Sequence, residues 1–292
     1  MFSISQTPRG FFCLEWSPTE DGPKIVNLNH IKVQLDFNNK EVLTNIVNIF
    51  NPTIKSQSNS LSITISSNNV LISSLKINSD KNNNKIIKWY ESKIMGKNFC
   101  DNYHNYYFPM DSDNNCLLVS LPKKYKENIL NSSKRLGFNL IYLSVDIFSA
   151  AVLARQLYKK ETKKEYLIWK VCNNNHHTLL YYNNDKIKLF IKLKSKLKEL
   201  IPEIIIGSNK DAQTIKSLLS QILINSKSCN NIEHIFIYQT KENTDFIKKI
   251  INMNLNNIRL LDFNRLLIDD NKDKFKYISY VENGICFKGL DL

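Results

Sequence analysis

Apolar and polar positions along this chain alternate, cluster or recur in ways that mark most of its elements. Leu117 to Leu121 is a short apolar run closed by Pro122, the length and flank of a buried strand. From Lys123, the apolar residues Tyr125, Ile129 and Leu136 recur among charges at near-helical spacing, and Gly137 follows as a C-terminal stop. Asn139 to Val145 predicts a second strand, which delivers the chain to Asp146, a side chain able to cap the next helix. In that helix Ala150, Ala151 and Ala154 line up with Ile147 and Tyr158, giving a face small enough for another backbone to approach closely.

The same reading extends in both directions. Gly10 to Trp16 and Lys24 to Val33 are apolar runs separated by the turn residues Ser17 to Pro23, which predicts a hairpin. A helix is expected over Lys40 to Phe50, with Val42, Leu43, Ile46, Val47 and Phe50 on one face. Leu61 to Ile65 and Val70 to Ile77 read as another strand pair joined by Ser66 to Asn69. After the Asn-rich loop Asp80 to Asn84, the residues Ile86, Trp89, Tyr90, Ile94 and Met95 form an amphipathic helical pattern. Tyr166 to Val171 and His177 to Tyr182 predict a hairpin around Asn173 to Asn175, with Lys186 to Lys194 as a third strand. A helix (Asp211 to Ile224), a strand (Ile232 to Tyr238), a helix (Thr244 to Met253) and a strand (Ile258 to Leu261) complete a mixed α/β pattern.

Composition adds bounds. The 292 residues are enough for two domains, and 42% hydrophobic content with 23% charged is ordinary for a globular protein. No window approaches the roughly 20 apolar residues of a membrane-spanning helix, and Met1 to Gly10 lacks a signal-peptide pattern, so the expected location is the cytoplasm. Six scattered cysteines without a CxxC indicate reduced thiols rather than a disulfide framework or a zinc site. The net charge of +13 suits nucleic acid, an anionic membrane surface or an acidic partner. Abundant Lys, Asn and Ile also fit an AT-rich genome, and Lys186 to Lys198 most simply forms a solvated face.

The segment from Leu117 to Tyr158 resembles one in the actin-like ATPase superfamily, most closely the PilM family of type IV pilus assembly, which is related to FtsA. The features that carry the resemblance are Val119 to Leu121, the helix from Lys123 to Leu136, Gly137, Leu140 to Asp146, and Ala150 to Leu157 with Arg155. Trp89 with Asp101-Asn102-Tyr103, and Gly284, Lys288, Gly289 and Leu290 in a closing helix over Tyr277 to Leu290, fit the same family. The resemblance implies a two-domain actin-like (ribonuclease H-like) α/β fold. Its first subdomain would comprise residues 1–70 and 144–163 with the closing helix 277–290. An inserted α/β subdomain would cover 71–143, and a reduced second subdomain 164–276. The fourth subdomain of the family would be lost or reduced between Leu193 and Asp211.

By the same resemblance, nucleotide chemistry would need two phosphate-binding turns of the Asp-x-Gly type and a Gly pair against adenosine. Only Gly allows close backbone approach, and a carboxylate holds hydrated magnesium. The first turn is instead expected at Leu14-Glu15-Trp16-Ser17-Pro18, where bulk and a missing donor stand in place of a phosphate cradle. The second is Trp169-Lys170-Val171-Cys172-Asn173, and the adenosine loop is Gln239-Thr240-Lys241. Glu15, Trp16, Ser17, Lys170, Cys172, Asn173, Gln239 and Thr240 thus read as degenerate nucleotide turns, with no catalytic residue, metal ligand or cofactor expected. The adjacent His176 and His177 read as a turn pair, and Tyr103, Tyr106, Tyr107 and Phe108 as packing rather than a base-stacking surface.

The implied function is a non-enzymatic scaffold peripheral to the inner membrane, docked on the cytoplasmic tail of a PilN-like protein of a pilus or type II secretion platform. The groove implied for that tail lies between the first and inserted subdomains. An anionic membrane surface and self-association are further expected contacts, and no specific nucleic acid is. A divergent ATPase that binds ATP and a basic nucleic-acid-binding protein are the alternatives.

Overall fold

In the computed structural model, residues 1–7, 10–32, 59–76, 89, 92, 93, 95–111, 115–173, 175–196, 199–224, 232–240, 245–267 and 275–290 are described. The helix expected over Lys40 to Phe50, the Asn-rich loop and most of the pattern around Trp89 lie outside them. The chain divides into two compact units. Unit 1 comprises Met1–Val70, Leu121–Gln156 and Asp262–Leu292, and unit 2 comprises Leu71–Ser120 and Leu157–Leu261. The helix and strand over Lys123 to Val145, expected within the insertion, fall in unit 1.

Unit 1 is built on five strands: β1 (Phe2–Thr7), β2 (Gly10–Thr19), β3 (Gly22–Ile31), β4 (Ser60–Ile65) and β8 (Asn139–Val145). Their order is β3-β2-β1-β4-β8, with β1 and β2 and then β2 and β3 antiparallel, and β1, β4 and β8 parallel. The sequence FSISQT of β1 alternates apolar with Ser, yet both sets are buried. A sheet covered on both faces explains that burial, provided the hydroxyls have partners. They do. Ser3 Oγ donates to the Asn283 carbonyl (3.1 Å) and Ser5 Oγ to Asn283 Oδ1 (2.7 Å). Asn283 Nδ2 in turn donates to the carbonyls of Ser3 (2.9 Å) and Phe12 (3.0 Å).

Asn283 lies in the closing 3₁₀ helix, Ile278–Leu290, which meets the helix Asp146–Leu157. At that crossing a Cβ on Gly284 would stand 2.6 Å from both Leu153 Cβ and the Ser149 carbonyl oxygen. The close approach is thus at Ser149 and Leu153, next to the small residues Ala150 and Ala154. The strand and helix predicted at Asn139 to Val145 and from Lys123 match the structure, and Gly137 takes the positive φ of a helix stop, 76°.

Unit 2 holds a six-stranded sheet and a small three-stranded one. In the first the strands are β9 (Glu165–Asn173), β10 (His176–Asn183), β11 (Lys186–Lys196), β12 (Glu199–Gly207), β13 (His234–Gln239) and β14 (Ile258–Leu260), in the order β12-β11-β10-β9-β13-β14. The four strands from β9 to β12 form an antiparallel meander, while β13 runs parallel to β9 and β14. Residues 193–211 run from β11 through β12 into the helix Asn209–Leu223, with 197 and 198 outside the described set. Of the lysines expected on a solvated face, Lys186, Lys194 and Lys196 are exposed, whereas Lys188 donates to Glu165 Oε1 at 2.9 Å.

The small sheet has the order β5-β7-β6, from β5 (Leu71–Lys76), β6 (Tyr103–Pro109) and β7 (Asn115–Pro122). This corrects the strand pair read at Leu61 to Ile77: β4 joins β1 and β8 in unit 1, while β5 pairs antiparallel with β7. Two adjacent apolar runs with a short turn look like a hairpin locally, and only the distant partners decide otherwise. Tyr107 packs on Leu75 and Cys116, as expected of the aromatic cluster.

Candidate functional site

In open α/β sheets the carboxyl ends of the parallel strands are where ligands bind. In unit 1 these ends are Thr7, Ile65 and Val145. Asp146, immediately after β8, is 1% exposed; its Oδ2 accepts from the Ser67 amide (3.0 Å) and its Oδ1 from the Ile147 amide (2.7 Å). The carboxylate thus ties the first turn of its helix to the loop after β4. Beside it, Asn69 Nδ2 donates to Gln6 Oε1 (2.7 Å), and the Tyr125 hydroxyl donates to the same oxygen (3.2 Å). The strand ends are knitted together by their own side chains.

Glu15, Trp16 and Ser17 are elsewhere. They lie within β2, where Glu15 pairs with Phe2 and Asn27, Trp16 with Ile25, and Ser17 with Lys24. The paired ends of β1 and β2 are Thr7 and Gly10, and Thr7 Oγ1 donates to the Gly10 carbonyl (3.1 Å). The turn expected at Leu14 to Pro18 is strand instead. Pro18 pairs with Pro23 at the end of the hairpin, a strand-end position where a missing N–H is tolerated. Gly10 has φ 145°, and a Cβ there would lie against the Ile31 carbonyl oxygen.

In unit 2 the corresponding ends are those of β9 and β13. Lys170 faces Thr178 and Tyr238 across the sheet, and Cys172 Sγ lies 3.6 Å from Thr178 Oγ1. Asn173 closes β9 opposite His176. On the other face one cross-strand row contains His177, Val171 and Gln239, because Val171 is the register partner of both others. Strand alternation therefore separates Lys170 from Gln239. Thr240 follows, also buried.

His176 and His177 are not a turn pair. They open β10, and His177, 1% exposed, accepts from Trp169 Nε1 on its Nδ1 (3.3 Å). That bond puts the proton of the neutral ring on Nε2. The Phe246 ring, from the helix Asp245–Asn252, packs against both Trp169 and His177. Sequence reasoning missed this trio, although the alternation of His177 with Leu179 was a signal. His177 Nε2 and both polar atoms of the Gln239 side chain are buried without a hydrogen-bond partner. Such groups each cost on the order of 1–3 kcal/mol.

Burial, with the neighbouring His176, lowers the His177 pKa from 6.5 to about 4. The folded value lies below the unfolded one, so the unfolded chain binds more protons in that interval. The stabilisation is complete above about pH 6.5 and is lost as the pH falls toward 4, roughly 3 kcal/mol in all. Urea melts at pH 7.5 and pH 4.5 are expected to differ by about that amount more for the native chain than for His177→Gln.

No family model matches the sequence, and no curated protein matches it. Among solved structures, the chain overlays on one from a PilM–PilN type IV pilus biogenesis complex with a TM-score of 0.64 at 9% identity, covering 99% of this chain and 98% of that one. The chain shares the PilM fold, an actin-like α/β architecture. A Bacteroides thetaiotaomicron protein with an actin-like ATPase fold overlays with a TM-score of 0.46 at 10% identity, over 91% of each chain. The cytoplasmic domain of EpsL, an inner-membrane component of the Vibrio cholerae type II secretion system, gives 0.42 at 11% identity, over 87% of this chain and 94% of that one. Against the PilM fold, the expected two-domain actin-like reading holds.

Proposed function

We propose that this chain is a PilM-like scaffold at the cytoplasmic face of an inner-membrane platform, in a type IV pilus or type II secretion system, and that it works without hydrolysing ATP. The observation that carries this reading is the end-to-end overlay on the PilM chain of a PilM–PilN complex. Its partner by that likeness is the cytoplasmic tail of a PilN-like membrane protein. The +13 net charge suits the anionic inner leaflet beside that tail. Among the described residues no helix is long and apolar enough to cross a membrane.

The residues at the strand ends do not fit a nucleotide with its magnesium. On β9 a Lys170 ammonium takes the place of a metal-binding carboxylate, and cations repel one another. Trp169, His177 and Phe246 fill the opposite face of the same strand end with rings. In unit 1 the Asp146 carboxylate is committed to two backbone amides. A ligand held by the native state must raise its stability, by about 2.7 kcal/mol at a hundredfold excess over its Kd. Magnesium with ATP at millimolar concentration is therefore expected to leave the melting temperature unchanged and to release no phosphate. A rise of several degrees would favour the ATPase alternative.

A further inference from the structure

Among the described residues four α-helices have eight residues or more, and three of them begin as the helix macrodipole favours. Asp146, Asp211 and Asp245 stand in the first turns of the helices Asp146–Leu157, Asn209–Leu223 and Asp245–Asn252, where the partial positive charge of the unpaired N–H groups attracts carboxylates. The helix Lys123–Arg135 opens instead with Lys123, Lys124 and Lys126, and has no acidic residue in its first turn and no side-chain cap. Cations in that place work against the dipole. An AT-rich genome supplies lysine, but it does not gather three of them where they weaken the helix that carries them. Local rules of this kind are broken where a function is gained.

The same helix ends in Lys134 and Arg135, so its thirteen residues hold five cations and one acid, Glu127. Its inner side is Tyr125, Ile129, Ser132 and Ser133, all buried. Outward, Lys126, Leu130 and Lys134 follow one another at four-residue steps and form one stripe. Lys124, Lys134 and Arg135 are exposed, and Leu130 is 41% exposed, an apolar side chain with a cation one turn away in each direction. β8, on which the helix packs, adds Ile141, 40% exposed. The exposed Lys288 of the closing helix places its Nζ 5.6 Å from the centre of the Tyr142 ring on that strand. A second copy seated here would set these cations against their own counterparts, at an electrostatic cost. Nucleic-acid backbones are met by polar donors, and a leucine in the middle of the stripe offers none. An anionic lipid surface suits both parts of the pattern, the headgroups taking the cations and the acyl boundary taking Leu130.

We infer that the outer face of the helix Lys123–Arg135 lies directly on anionic lipid, a contact that needs no protein partner. It rests on the scaffold reading above for the membrane concerned, the inner leaflet beside the platform. The test is sedimentation of the intact chain, alone, with vesicles of phosphatidylglycerol and phosphatidylcholine, and with vesicles of phosphatidylcholine only. Binding to the anionic vesicles but not the neutral ones, weakening as salt is added, is the expected result. Lys124→Glu/Lys134→Glu should weaken it at least about tenfold, and Leu130→Ala by about threefold. Lys194→Glu/Lys196→Glu makes the same change in net charge at exposed positions of β11 and should bind like the native chain. All three variants should keep the native melting temperature, since the altered side chains lie at the surface. Native binding by Lys124→Glu/Lys134→Glu, or an equal loss through Lys194→Glu/Lys196→Glu, overturns the assignment to this face. Retention on duplex DNA instead of vesicles, lost in Lys124→Glu/Lys134→Glu, assigns the face to nucleic acid and overturns it as well. Failure to bind anionic vesicles by a chain that still takes up a protein tail removes the lipid contact and leaves the scaffold reading standing. Vesicle binding by a chain that takes up no tail does the reverse.

Discussion

Gly284→Val should leave the chain largely insoluble or unfolded at 25 °C, with stability lowered on the order of 4 kcal/mol. A Cβ alone would stand 2.6 Å from Leu153 Cβ and 2.6 Å from the Ser149 carbonyl oxygen, and 3.1 Å from the Leu153 amide nitrogen. Two of these three neighbours are backbone, so no rotamer change relieves the overlap. Overpacking of this kind usually costs about 1–3 kcal/mol, and more where the backbone itself must move. Separation of the closing helix from the Ala-rich helix would also withdraw cover from Val281, Ile285 and Phe287, all buried. Circular dichroism and urea melts of Gly284→Ala and Gly284→Val measure the effect. Native stability of the valine variant would show that the helices have room to part.

Asn283→Leu is expected to be nearly as damaging, by a different route. The asparagine is fully buried and engages Ser3, Ser5 and the Phe12 carbonyl through both ends of its amide. Leucine keeps the branched four-atom shape but offers no donor or acceptor. The Ser5 hydroxyl and the Ser3 and Phe12 carbonyls would lose these bonds in a region without solvent, each at about 1–3 kcal/mol, so a total of roughly 4 kcal/mol is reasonable. Ser5→Ala removes one hydroxyl along with the bond it makes, and should cost about 1 kcal/mol. A chemical-denaturation series that ranks Asn283→Leu no worse than Ser5→Ala would contradict the clasp.

These two neighbours differ in how far the sequence revealed them. The small residues at Ala150 and Ala154 announced a close approach to their helix, which falls beside them at Ser149 and Leu153, and Gly284 was already set among the residues of a closing helix. Asn283 carried no such signal, because its partner Ser3 is 280 positions away in the chain. For the same reason β1 was not recognised: its buried serines imitate the polar half of an exposed strand until their distant partner is known. Local periodicity was sufficient over Leu117 to Leu157, where Pro122 and Gly137 punctuate the strand and helix patterns. It failed between Leu61 and Ile77, where two adjacent strands belong to different sheets.

At the strand ends the division is similar. Cys172 and Asn173 end β9 and Gln239 ends β13, whereas Lys170 lies inside its strand, paired with Thr178 and Tyr238. Glu15, Trp16 and Ser17 did not mark a turn, since Pro18 and Ser17 are turn-like in composition but sit in a strand that continues to Thr19. The ring cluster of Trp169, His177 and Phe246 needed the cross-strand register and a helix nearly seventy positions later to become visible.

The most direct test of the scaffold reading is a binding titration of the intact chain with the cytoplasmic tails of its neighbouring membrane proteins, made with and without magnesium and ATP. Saturable binding of one tail, with the same affinity whether or not nucleotide is present, is the expected result. No binding by any tail, or binding that appears only with ATP, would contradict it.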